Sequence, residues 1–118
     1  MPNNKYITFF LNKKENMLDK SAIVYAEAGE KHKTKIHTSG GEIYDVRITL
    51  GELEETLGKE FVKVRRNALV RASEIESLTD NVNLKNGDSV RYTQRQKRRI
   101  IERVMGITAS PPTEEKVF

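Results

Sequence analysis

Residues 61–73 read FVKVRRNALVRAS and carry Lys63, Arg65, Arg66 and Arg71, with no carboxylate before Glu74. Unopposed guanidinium groups suit anions, because each offers a planar fork of donors that grips two oxygens at once, whereas lysine offers a point charge. Two further runs have the same character: Lys31, His32, Lys33 and Lys35 in EKHKTK, and Arg91, Arg95, Lys97, Arg98 and Arg99 in VRYTQRQKRR. Solvated surface accounts for any one run alone. Three runs in one small domain are hard to spread apart, and one shared face would make them a phosphate track. The charge is also lopsided. Residues 61–118 hold twelve Lys/Arg against seven Asp/Glu, while residues 1–60 hold nine against ten.

Other chemistries find little support. His32 and His37 stand five apart in or beside a strand, which puts them on opposite faces. They form no H-x-x-x-H pair, and no acidic cluster stands at a ligand spacing, so no metal site is expected. There is no P-loop, no G-x-G-x-x-G and no G-x-S-x-G, and nothing orders a catalytic set. The expectation is a protein that is not an enzyme and needs no cofactor. The absence of cysteine excludes disulfides and thiolate ligands. No apolar run approaches the roughly 20 residues that cross a bilayer, and MPNNKYITFF lacks a long apolar signal region. A soluble, cytoplasmic protein with no membrane contact is the simplest account.

The elements that must carry these cations are short strands and two helices. KYITFFL alternates, with Ile7, Phe9 and Leu11 on one face and Tyr6, Thr8 and Phe10 on the other. NKKEN reads as a polar turn, SAIVYAEA as an apolar strand, KHKTKIH as a polar strand, TSGG as a turn and EIYDVRI as a strand. Such close succession argues for antiparallel pairing, since parallel pairs need crossovers of a dozen or more residues. In TLGELEETLG, Thr49 and Glu52 form a capping box ahead of Leu50, Leu53 and Leu57, and Gly58 stops the helix. FVKV and EIESL are strands, and NVNLKNGDSVRY is a hairpin with Asn86-Gly87 suited to a type I′ turn. A second helix opens at Thr93, again with a capping box to Gln96, buries Ile100, Ile101 and Val104, and ends at Gly106. Its first turns hold Arg95, Lys97, Arg98 and Arg99, cations at the positive end of the dipole, which costs roughly 0.3–1 kcal/mol each when exposed. An anion placed there would repay that cost, because helix N-termini already offer free N–H groups.

Taken in order, these segments resemble the LytTR DNA-binding domain. The likeness runs from about Lys5 to Val104. It comprises an I-x-Y-x-E-A-like strand, TLGELEETL, F-V-[RK]-[IV]-x-R before an L-V segment, an I strand, the LKNG hairpin and a basic helix start. It implies a mostly β fold of antiparallel sheets of short strands with one or two short helices. The domain would span 5–107, between a flexible N-terminus at 1–4 and a flexible tail at 108–118. It implies loops that enter successive major grooves of double-stranded DNA, in a bacterial transcriptional regulator. Carried over by position, the base readers are His32, Arg66 and Arg95. Lys31, Lys33, Lys63, Arg65, Asn67, Gln94, Lys97, Arg98 and Arg99 flank them as phosphate or secondary contacts. The family's paired target repeats imply two copies, as a homodimer on DNA, and its habit of following a phospho-receiver domain implies a regulatory protein partner. This chain departs from the family at RRN (65–67), where His-Arg-Ser is common, at Arg71 in place of Asn, and at Gln94 in place of Ser. Those added cations would strengthen nonspecific binding. The alternative is a non-catalytic interaction module docking an acidic protein partner.

Overall fold

A computed structural model describes residues 5–11 and 13–107. The expected flexible ends, 1–4 and 108–118, lie outside the described residues. The described residues form ten strands and two α-helices: β1 (Tyr6–Leu11), β2 (Lys14–Asp19), β3 (Ile23–Ala28), β4 (Thr34–Thr38), β5 (Ile43–Val46), α1 (Leu50–Leu57), β6 (Phe61–Arg65), β7 (Ala68–Arg71), β8 (Ile75–Leu78), β9 (Asn81–Leu84), β10 (Ser89–Arg91) and α2 (Gln94–Ile107). All pairings are antiparallel. β1 and β2 form a ribbon, β10-β9-β8 a three-stranded sheet, and β5-β4-β3-β7-β6 a central five-stranded sheet.

The central sheet is covered on both faces, and this explains the near-continuous apolar run of β3. On one face, Ile23, Ala26, Ile36, Val46 and Leu69 pack under Leu50, Leu53 and Leu57 of α1 and under Ile7, Phe9 and Leu18 of the ribbon. On the other, Val24, Val62, Val64 and Val70 meet Val82, Leu84 and Val90 of the small sheet and Ile100 of α2. The capping box of α1 is complete. Thr49 Oγ1 accepts from the Glu52 N–H at 3.2 Å, and Glu52 Oε1 accepts from the Thr49 N–H at 3.0 Å. Those two bonds hold the Glu52 carboxyl below its ordinary range.

Some local expectations need correction. The segment NKKEN is mostly strand, because β2 begins at Lys14 and pairs with β1 from Leu11↔Lys14 to Tyr6↔Asp19. Only Leu18 of β2 is buried, so the ribbon's solvated face left almost no alternation to read. The Asn86-Gly87 turn is not type I′, which needs positive φ at both central residues. Gly87 alone is left-handed there, at φ 96°, and its N–H bonds to the Leu84 carbonyl while the Leu84 N–H bonds to the Asp88 carbonyl. This is a type I turn with a glycine bulge, and the Asn86 side chain accepts from the Asp88 N–H at 2.8 Å. Finally, α2 runs through Gly106 to Ile107 and does not stop at the glycine, and of the expected buried stripe Ile100 and Val104 pack inward while Ile101 is exposed.

Candidate nucleic-acid interface

Strand direction decides where the cations go. β3 and β6 run toward one end of the central sheet, and β4 and β7 leave from it, so the β3–β4 and β6–β7 turns share that end. Their backbones are bonded: the Ala28 N–H donates to the Asn67 carbonyl at 2.9 Å. The junction between β10 and α2 joins them, through the Thr93 N–H and the Val64 carbonyl at 3.1 Å. Three segments far apart in sequence therefore make one edge of the molecule.

The β3–β4 turn carries exposed Lys31 and His32 and half-buried Lys33. Lys31 and His32 are both left-handed, at φ 54° and 62°, and the turn closes from the Lys33 N–H to the Glu30 carbonyl at 3.0 Å. Two successive L-residues in this region cost roughly 1–2 kcal/mol each, and Asn-Gly would fill the same turn with little strain. Keeping Lys-His there stores strain where the Lys31 and His32 side chains project. The β6–β7 turn is Arg66 and Asn67, both exposed. The opening of α2 presents Gln94, Arg95, Lys97 and Arg98 to solvent, with Arg98 in a loose 3.8 Å contact with Glu102. Arg99 lies a turn further along, lining a surface cavity of about 550 Å³ with Lys59 and Arg103. Arg103 is anchored to the carbonyls of Lys59 and Phe61, at the opposite end of β6 from Arg66.

The run at 61–73 is not a single cluster. Alternation turns Lys63 toward α1, where its Nζ lies 3.4 Å from Glu54. Arg71 faces inward: Nε donates to the Ile23 carbonyl at 2.8 Å, Nη2 donates to the Lys20 carbonyl, and the guanidinium caps the Phe61 ring at 4.6 Å. It therefore adds no free cation to the surface, contrary to the expectation that it strengthens nonspecific binding. Arg65 is half-buried, with Nη2 3.2 Å from Glu27 Oε2 and Nη1 donating to the Arg91 carbonyl at 3.0 Å.

Glu27 did not emerge from the sequence as a working residue. Its signal was there, a carboxylate inside the apolar strand AIVYAEA. Its other oxygen faces His37 Nε2 at 3.6 Å, too long for a hydrogen bond, and His37 stacks on Tyr25 at 4.0 Å. Burial holds the His37 pKa below its ordinary value of 6.5, against the raising pull of Glu27 and Asp88, so the ring is neutral at pH 7. Arg65 is then the cation that compensates Glu27. Tyr25 in turn donates to Asp88 at 3.2 Å, tying the central sheet to the β9–β10 hairpin. Among the described residues no group of His, Asp and Glu could hold a metal ion.

Comparison with known proteins fits this geometry. A solved LytTr DNA-binding domain from Bacillus cereus superposes with a TM-score of 0.72 at 18% identity, covering 86% of this chain and 98% of that one. No curated protein matches significantly. The family model of the LytTr DNA-binding domain matches residues 13–105, from the β1–β2 turn almost to the end of α2. The chain thus belongs to the LytTr DNA-binding domain family, a family of DNA-binding modules and not of enzymes.

Proposed function

We propose that the chain binds double-stranded DNA sequence-specifically, setting its three loops into the major groove, as a bacterial transcriptional regulator in the cytoplasm. The observation that carries this reading is the gathering of three basic segments, hydrogen-bonded to each other, on one edge. His32, Arg66 and Arg95 are the base readers. Each is exposed at the tip of its segment, and the two arginines have the fork that matches guanine O6 and N7. Lys31, Lys33, Asn67, Gln94, Lys97 and Arg98 flank them as phosphate or secondary contacts, with Arg99 further out. Lys63 must release Glu54 before it can reach a phosphate. Two copies act on paired repeats as a homodimer on DNA, with a regulatory protein as a further partner. Among the described residues no helix is long and apolar enough to cross a membrane.

The test begins by selecting duplexes from a random pool with the protein, then titrating the winner and a random duplex across salt. No binding to either at about 50 mM salt would end the DNA reading, since nonspecific attraction is strongest there. Lys33→Ala is expected to weaken both duplexes by the same factor and to flatten the log–log salt slope by about 0.9, the signature of one lost phosphate contact. A loss confined to the selected duplex would instead make Lys33 a base reader.

His32→Gly tests the strained turn from both sides. Glycine accepts φ 62° without penalty, so the variant is expected to gain roughly 1 kcal/mol in urea denaturation, while the selected duplex loses its preference over random DNA. A variant with unchanged discrimination would remove His32 from base readout.

A further inference from the structure

We infer that Arg65 is a positioning residue that locks the three DNA-facing segments to one another, and not one of the groups that hold phosphate. The inference rests on the DNA-binding reading for its consequence, but its geometry is independent of it. Arg65 ends β6, one residue before the Arg66-Asn67 turn. One guanidinium nitrogen meets Glu27, which stands one residue from the end of β3 and so at the root of the Lys31-His32 turn. The other meets the carbonyl of Arg91, the last residue of β10, three positions before α2 opens. A single planar group thus touches the roots of all three segments. Its side chain is only 26% exposed, so the Glu27 contact is partly shielded from water, while the Arg91 contact lies at the exposed rim.

The chemistry explains why arginine and not lysine suits the position. The two acceptors belong to different elements, a carboxylate on the central sheet and a carbonyl on the small sheet. A guanidinium reaches both in fixed relative geometry, whereas one ammonium on a flexible stem does not hold two such directions apart. Backbone bonds already join the segments in pairs, from Ala28 to Asn67 and from Thr93 to Val64. Arg65 closes the remaining gap, because it couples β3 to β10 directly. Base readout depends on the relative placement of three tips, and misplacement of about 1 Å is costly to any preorganised contact. A phosphate that took the Nη2 donor from Glu27 would leave that carboxylate beside a neutral His37 with no other cation bonded to it among the described residues.

Arg65→Gln, Arg65→Lys and Glu27→Gln test this in the whole chain, with thermal unfolding as a control for folding. Amide hydrogen exchange in the free protein is the first arm. Ala28 and Thr93 should exchange several-fold faster in Arg65→Gln, while Ile36 and Val70 in the central strands keep their protection, the pattern of local and not global opening. DNA titration is the second arm, using the selected duplex and a random duplex of equal length. The expected result is a drop of about tenfold in the selected-to-random affinity ratio with no change in salt slope. Glu27→Gln should reproduce the loss, and the double variant should lose little more than either single one. Arg65→Lys should fail to restore discrimination although it keeps the charge. A slope flattened by about 0.9, with both duplexes weakened equally and lysine restoring both, would overturn the proposal in favour of a phosphate contact. Unchanged exchange at Ala28 and Thr93 would overturn it whatever the DNA result. Failure of the unaltered chain to bind any duplex would sink the DNA reading and leave the exchange arm to judge the clamp.

Discussion

Arg66→Ala and Arg95→Ala should each cut affinity for the selected duplex by about ten- to hundredfold, while random duplex loses no more than a few-fold. The magnitude follows from a bidentate arginine–guanine contact, worth roughly 1–3 kcal/mol of discrimination against the wrong base. Both side chains are free to make it. Arg66 is exposed in the two-residue turn after β6, and Arg95 is exposed in the first turn of α2. Neither removal should disturb the fold, since neither side chain belongs to the buried clusters. The measurement is a pair of anisotropy titrations per variant, at matched salt. Equal losses on selected and random DNA would make the arginines phosphate contacts, and the specificity would have to come from elsewhere. Arg95→Ala has a second expected consequence. It removes a cation from the positive end of the α2 dipole, so the free protein should become slightly more stable, by about 0.3–1 kcal/mol. A stability gain paired with a loss of binding is what an arginine kept for its ligand would show.

The sequence carried the local parts of this picture well. Thr49-x-x-Glu52 ahead of three spaced leucines was readable because capping and helical periodicity are contained within one segment. The three basic segments were readable because cations gathered where strand alternation failed, at Lys31-His32, at Arg66 and at the start of α2. What stayed hidden depends on partners 26 to 51 positions away. Arg65 finds Arg91 and Glu27, and Arg71 finds Ile23 and Lys20. A long aliphatic stem lets an arginine lie in the interior with its head bonded, and its one-letter code is then indistinguishable from a solvated cation. The same reasoning explains why β2 was missed. A two-stranded ribbon with one solvated face can pair polar residues such as Lys14 and Asn16 through backbone bonds that demand no side-chain pattern.

Arg71 is where that blind spot carries its largest energetic consequence, and Arg71→Ala is expected to destabilise the fold by about 3 kcal/mol. The residue ends β7 with its side chain only 12% exposed. Its ion pair with Glu60, at 2.7 Å, looks like the main contact, but Glu60 is 71% exposed and such a pair contributes at most about 1 kcal/mol. The larger part comes from the carbonyls of Ile23 and Lys20, which flank the turn between β2 and β3 and are bonded by Nε and Nη2. Truncation removes both donors at once; the Lys20 carbonyl keeps the Ile23 N–H, so the Ile23 carbonyl is the shielded acceptor that loses its arginine donor, at a cost of roughly 1–3 kcal/mol. It also uncovers the face of Phe61, itself part of the core beneath α1. Glu60→Gln should therefore lower stability by less than about 1 kcal/mol, and Arg71→Lys should fall between the two, keeping the charge but losing the fork. DNA binding measured well below the melting temperature should keep its salt slope in all three variants, because Arg71 offers nothing to a phosphate. Urea denaturation alongside salt-dependent titration separates the two roles. If Arg71→Ala left the unfolding midpoint in place and flattened the slope by about 0.9, the guanidinium would have to leave its carbonyls on binding, and the β2–β3 turn would be part of the interface.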